Sequence, residues 1–184
     1  IGAGTMGLLN AQAVRACGAR VIVTEMMEKK IKTAKVMGFE VIDAGAADPV
    51  ERVKQMTGGR GADAVIVAAG ATKANEQAAA MLKHFDGRML MFAAAYPAPE
   101  LGISSNDIHY RRMEILGTYL GDTKDFLEAA RLLNQRVVDV RPLIEASYPL
   151  EDIQKAFEEA ARPGNYRVSV MLHESGREEG PCSK

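Results

Sequence analysis

Cysteine is scarce in this chain: only Cys17 and Cys182 occur among 184 residues. That scarcity excludes a disulfide framework and fits a reducing cytosol, so a cytoplasmic location is expected. An excess of one charge is lacking too, since 23 basic residues oppose 24 acidic ones. The resulting net charge of -1 offers no basic stripe, and neither nucleic acid nor a membrane is expected as a partner. No apolar run approaches the roughly 18 residues of a membrane span, and no signal peptide is visible. Catalytic patterns are thin as well. None of Tyr96, Tyr110, Tyr119, Tyr148 or Tyr166 has a lysine four positions later, which excludes a Tyr-x-x-x-Lys pair. Neither G-x-x-x-x-G-K-[ST] nor G-x-S-x-G occurs, so a P-loop and a nucleophile elbow are excluded. His84, His109 and His173 lie far apart without cysteines at ligand spacing, so neither a metal site nor a catalytic residue is expected within this chain.

What the chain does have is glycine at its start. Gly2, Gly4 and Gly7 form G-x-G-x-x-G around Ala3, Thr5 and Met6. Gly2 suits a tight turn, Gly4 lets backbone approach a pyrophosphate, and Gly7 lets a new helix pack on a strand. Phosphates would then rest on the free amides of the helix N-terminus. Leu8, Ala11, Val14 and Cys17 share one helical face, Gly18 ends that helix, and Arg20 to Thr24 read as a buried strand closed by Glu25. An acidic side chain about 20 residues beyond the glycines is placed to take ribose hydroxyls. A purely structural glycine turn, a mononucleotide site and a methyl-donor site are the competing readings.

A dinucleotide fold needs a central strand running into Gly2, and only Ile1 precedes it. The neighbours of that strand would carry unpaired backbone in mid-sheet, at about 1–3 kcal/mol for each unmet buried group. The chain therefore reads as the downstream portion of a longer protein. Alone it is expected to be unfolded or aggregated by circular dichroism and gel filtration.

Strand and helix then alternate. A helix over Met26 to Met37 buries Ile31, Ala34 and Met37, and Glu40 to Asp43 form a strand. Asp48 and Pro49 start a helix as N-cap and first helical residue, with Val50, Val53 and Met56 inward. Ala64 to Ala69 are a strand covered on both faces. Thr72 caps a helix reaching about His84, burying Ala78, Met81 and Leu82, while His109 falls in a loop. Arg88 to Ala95 and Glu114 to Leu120 are further strands, with Leu101 to Ser104 as an edge strand between them. Met81, Met89 and Met91 fill core, and Cys17 is a small core residue. This rhythm predicts an α/β fold, a Rossmann-type doubly wound parallel sheet over 1–121.

Past Gly121 the rhythm changes. Thr123 caps a helix to about Gln135 with Phe126, Ala129, Leu132 and Leu133 inward. Val137 to Glu145 is extended around Pro142. Leu150 to Ala161 form a helix with Ile153, Ala156, Phe157 and Ala160 inward, and Tyr166 to Leu172 a last strand. Residues 122–172 make a poor core alone and are expected to return into a catalytic domain. Residues 173–184 read as a mobile tail.

Together these residues resemble the medium-chain, zinc-dependent alcohol and polyol dehydrogenases, the sorbitol dehydrogenase type included. The likeness runs from Ile1 to about Leu172. It rests on the glycine loop with Glu25, Gly-Arg-Gly-Ala-Asp at 59–63, the strand ending near Pro97, Leu116-Gly117-Thr118, and Pro149-Leu150-Glu151-Asp152-Ile153 with Ala156-Phe157. The resemblance implies an N-terminal catalytic domain, then the dinucleotide domain, then a return. It implies NAD as coenzyme, with Gly4, Thr5, Met6 and Gly7 on the pyrophosphate and Glu25 with Lys30 on the adenosine ribose. Ala68, Ala69 and Gly70 would lie beside the riboses. Ala93, Ala94, Thr118 and Leu120 would hold the nicotinamide carboxamide, and Arg167 would reach the pyrophosphate. Catalytic zinc would sit in a domain upstream of Ile1, polarising a small-molecule alcohol, and the fragment alone would be inactive. The full-length protein would be a homodimer or tetramer, with Leu101 to Ser104 as a candidate joining edge.

Departures from the family pattern narrow these implications. Val67 stands where many relatives have glutamate, Glu25 is longer than the usual aspartate, and Leu120 replaces an arginine of animal sorbitol dehydrogenases, which weakens sorbitol itself as substrate. A carboxylate at 25 repels a 2′-phosphate and favours NAD over NADP, while Lys29 and Lys30 pull the other way. The leading expectation is an NAD-dependent oxidoreductase of secondary alcohols, polyols or sugar alcohols. The alternatives are a non-catalytic dinucleotide-sensing module and a methyltransferase.

Overall fold

The computed structural model describes residues 1–172, and the expectations for 173–184, with His173 and Cys182, lie outside the described residues. Two compact units result, Ile1–Asp139 and the residues from Val140 onward.

In the first unit, short apolar runs between glycine turns become parallel strands. They are β1 (Ile22–Glu25), β2 (Glu40–Asp43), β3 (Ala64–Val67), β4 (Arg88–Met91) and β5 (Glu114–Gly117). The helices are α1 (Thr5–Ala16), α2 (Glu28–Val36), α3 (Pro49–Met56), α4 (Thr72–Met81), α5 (Ser105–Arg111) and α6 (Thr123–Asn134). β1 pairs with β2, and β3, β4 and β5 pair in that order, every pair parallel. Ile1 and Gly2 lie between the two groups, bonded to Ile66 and Ala68 on one side and to Thr24 on the other. Val53 of α3 and Ala74, Ala78 and Met81 of α4 pack with Val65, Val67 and Met89 as the main core. Strand alternation turns Ile66 and Ala68 to the opposite face, where α1 lies. The sheet is thus covered on both sides, the doubly wound arrangement that the apolar strands call for.

Several local expectations are corrected. Leu101–Ser104 form no strand. Ser104 instead caps α5, its hydroxyl accepting the Asp107 N–H at 3.0 Å, so the proposed joining edge is absent and His109 is helical. Thr72 does not cap α4. Ala71 is the N-cap, and the Thr72 hydroxyl accepts the Glu100 N–H at 3.0 Å. Asp122, rather than Thr123, caps α6 in a reciprocal box with Asp125. Cys17 is exposed as the C-cap of α1 instead of in the core. Phe126, Leu127 and Leu133 of α6 are exposed, because no other element of the described chain covers that face.

The second unit comprises β6 (Ile144–Pro149), α7 (Ile153–Ala160) and β7 (Arg167–Met171), with single 3-10 turns at Arg141–Leu143 and Leu150–Asp152. β6 and β7 pair in parallel, with a register shift between Ile144 and Ala146. Leu143, Ala156 and Tyr166 are buried, whereas Ile153 and Phe157, read as inward, are exposed.

Candidate functional site

Parallel register carries the carboxyl ends of the strands to one edge. Val67 pairs with Met91 and Met91 with Gly117, so the segments after β3, β4 and β5 emerge side by side. Ala68, Ala69 and Gly70 follow β3, Ala93 and Ala94 follow β4, and Thr118 and Leu120 follow β5. The Ala93 N–H donates to the Val67 carbonyl at 2.9 Å, which ties two of these segments together. Gly70 faces Ala94 so closely that a Cβ there would lie 3.2 Å from the Ala94 carbonyl oxygen. Asn75, buried on α4, donates to the Glu100 carbonyl at 2.6 Å. With Thr72 it holds the connection after β4 against the start of α4.

The glycine loop reaches the same edge through three backbone hydrogen bonds. The Ile1 amine donates to Ile66 O at 2.8 Å, Ala68 N–H donates to Ile1 O at 2.9 Å, and Gly2 N–H donates to Thr24 O at 2.8 Å. Gly2 then turns at φ +94°, a conformation that a side chain disfavours. A Cβ on Gly7 would overlap the Gly2 carbonyl oxygen and sit 2.9 Å from its carbon, so the first turn of α1 can lie on the loop only with glycine there. Gly4 differs: a Cβ would meet nothing within 4 Å, so its backbone faces open space. Gly4 is also the N-cap of α1, with no side-chain cap and no acidic residue in the first turn. The amides of Thr5, Met6 and Gly7 are therefore free of the usual side-chain acceptor at the positive end of a 12-residue helix. That combination suits an anion.

Glu25, partly buried at the end of β1, adds a negative charge beside this loop. Its carboxylate accepts Ala3 N–H at 2.8 Å, Met26 N–H at 2.7 Å and Met27 N–H at 3.0 Å. Lys30 is partly buried in the first turn of α2. Gly2, Gly4, Thr5, Met6, Gly7, Glu25, Ala68, Ala69, Gly70, Ala93, Ala94 and Thr118 are thus gathered along one edge. Leu120 is exposed in a left-handed conformation at φ +59°. Arg167 lies in the second unit, as the exposed first residue of β7. The sequence reading left out Ala3, whose fully buried backbone donor anchors Glu25. Only its position between two glycines hinted at that role.

Among the described residues, no group of three or more His, Cys, Asp and Glu side chains could hold a metal ion. These residues do not fit zinc. No helix among them is long and apolar enough to cross a membrane.

Comparison with known proteins bears on the same edge. The 2-dehydro-3-deoxy-L-galactonate 5-dehydrogenase of Pseudoalteromonas atlantica is 29% identical over 179 residues, 97% of this chain and 51% of that protein. A sorbitol dehydrogenase of Halalkalibacterium halodurans is 29% identical over 174 residues, 93% of this chain and 50% of that protein. A solved structure from Sinorhizobium meliloti, described as a zinc-binding dehydrogenase bound to NADP, matches with a TM-score of 0.82 at 24% identity, covering 92% of this chain and 50% of its own. The chain spans about half the length of the relatives it matches. The model of the zinc-binding dehydrogenase family matches residues 5–135. The chain belongs to the zinc-binding dehydrogenase family.

Proposed function

We propose that this chain binds NAD for a secondary-alcohol oxidoreductase whose substrate is a polyol or sugar alcohol. The observation that carries this reading is the uncapped N-terminus of α1 beside the Glu25 carboxylate. The coenzyme pyrophosphate rests on the amides of Gly4 to Gly7, and the adenosine ribose hydroxyls meet Glu25, with Lys30 nearby. The segments after β3, β4 and β5 receive the nicotinamide end, Ala93, Ala94, Thr118 and Leu120 presenting backbone groups to its carboxamide. NAD supplies a ring carbon that accepts hydride from the alcohol carbon. The chain's own part is to bind and orient the coenzyme by fixed backbone dipoles, which need no rearrangement as charge shifts.

The Glu25 carboxylate supports NAD over NADP, because a 2′-phosphate would bring like charge against it. The names of two relatives, dehydrogenases of sorbitol and of a sugar acid, support a polyhydroxylated substrate. Zinc, if used, is held by residues other than those described. A homodimer or tetramer in the cytoplasm remains part of this proposal for the intact protein.

Calorimetric titration of the intact protein with NAD and NADP tests the reading. The expected result is NAD binding at least about tenfold tighter, a difference of roughly 1.4 kcal/mol. Equal affinities would refute the role given to Glu25. Binding of NAD without turnover on any alcohol would favour a sensing module, and preference for a methyl donor would favour a methyltransferase.

A further inference from the structure

The Gly59-Arg60-Gly61-Ala62-Asp63 run has no part in the coenzyme reading, and the fold sets it at the amino end of the strands, away from that edge. Backbone bonds fasten it to two helix ends. Gly59 N–H donates to the Lys54 carbonyl of α3 at 2.7 Å, Ala62 N–H donates to the Met81 carbonyl of α4 at 2.8 Å, and Lys83 N–H donates back to Ala62 O at 2.9 Å. Gly61 has φ +87°, and a Cβ there would stand 2.8 Å from Met81 O, so only glycine brings the run this close to α4.

A cavity of about 250 Å³ opens where these ends meet. Lys54, Gly59, Arg60, His84 and Arg111 are among the residues that line it, and no acidic side chain is. Two carboxylates lie behind the wall: Glu51 is 3.4 Å from Lys54, and Asp63 is 3.5 Å from Arg60 and 3.1 Å from Lys83. Four cations, Lys54, Arg60, Lys83 and Arg111, thus share two carboxylates in a chain whose net charge is -1. The Lys54–Glu51 and Arg60–Asp63 pairs are exposed. Such pairs contribute little, so either cation can turn to another anion.

Arg111 is held more firmly. Its Nε donates to His84 O at 3.3 Å and its Nη2 to Ala79 O at 3.2 Å, which pins the guanidinium across the end of α4. Among the described residues its Nη1 has no hydrogen-bond partner and the group has no carboxylate beside it. A concave wall of one sign concentrates the field within it.

We propose that this cavity is an oxyanion site for a phosphate group, free or as the monoester of a small organic group. Arg111 Nη1 is the fixed donor, and Lys54 and Arg60 close on the anion from the ends of α3 and the glycine run. Guanidinium and ammonium donors together give the charge-assisted bonds that phosphate oxygens take.

Titration of the intact protein with inorganic phosphate, followed by phosphorus NMR line width with and without saturating NAD, tests this. One saturable site is expected, unchanged by NAD. Lys54→Gln and Arg60→Gln alter exposed side chains, so the protein carrying both should fold as wild type does. It should bind phosphate at least about tenfold more weakly, the loss expected when a charge-assisted bond goes, with NAD affinity unchanged. Glycerol phosphate in place of phosphate separates the two sources. Tighter binding assigns an ester and weaker binding the free ion, and either supports the site. No saturable binding, full affinity in the double variant, or displacement of phosphate by NAD, which would put it on the glycine loop, would overturn the proposal. The NAD reading stands or falls by its own titration.

Discussion

The Glu25 carboxylate and the Ala3 amide are joined at 2.8 Å across the turn between the end of β1 and the glycine loop. The same carboxylate takes the amides of Met26 and Met27, so one side chain ties the glycine loop to the turn after β1. Glu25→Gln retains an acceptor for Ala3 but removes the charge. NAD affinity is expected to fall and the preference over NADP to narrow by about tenfold or more. Glu25→Ala also removes the carboxylate that accepts the Ala3, Met26 and Met27 amides, at a cost of about 1–3 kcal/mol by urea unfolding. A loss of NAD affinity with unchanged NADP discrimination would show that the carboxylate holds the loop without selecting the coenzyme.

Gly4 and Gly7 separate steric from ligand-binding demands. Gly4 has φ -69°, which alanine adopts readily, and open space where a Cβ would stand. Gly4→Ala should leave unfolding free energy within about 0.5 kcal/mol and weaken NAD at least about tenfold. Gly7→Ala forces the helix off the Gly2 carbonyl and should cost about 2 kcal/mol or more. If Gly4→Ala binds NAD as wild type does, the pyrophosphate does not lie on that amide.

Much of this edge was legible because its determinants are local. The Asp48-Pro49 pair starts α3 as expected, with Asp48 accepting the Val50 amide at 2.8 Å, and the apolar runs at 64–69 and 88–95 form strands, shorter than expected, at 64–67 and 88–91. What escaped was decided by partners remote in sequence. Thr72 stands where local sequence places a cap, but its hydroxyl accepts the amide of Glu100, 28 residues away. α5 buries no residue fully, so it carried little periodicity; Ser104 and Asp107 at capping-box spacing were its one usable sign. Cys17 shares a heptad-like stripe with Leu8 and Ala11, yet the helix ends at Ala16 and frees it. The pairing of β3 with β4 and of β4 with β5, which lines up the segments that follow them, depends on register that no single strand encodes.

Gln12 is a buried polar residue with a specific task. Its side chain donates to the Asp139 carbonyl at 3.0 Å and accepts the Asp139 amide at 2.7 Å, fastening the end of the first unit to α1. Gln12→Leu keeps bulk but strips both bonds. The expected loss is about 1–3 kcal/mol, with faster hydrogen exchange at Asp139 and unchanged exchange at Ala3. Unaltered protection of Asp139 would mean that other contacts hold this segment.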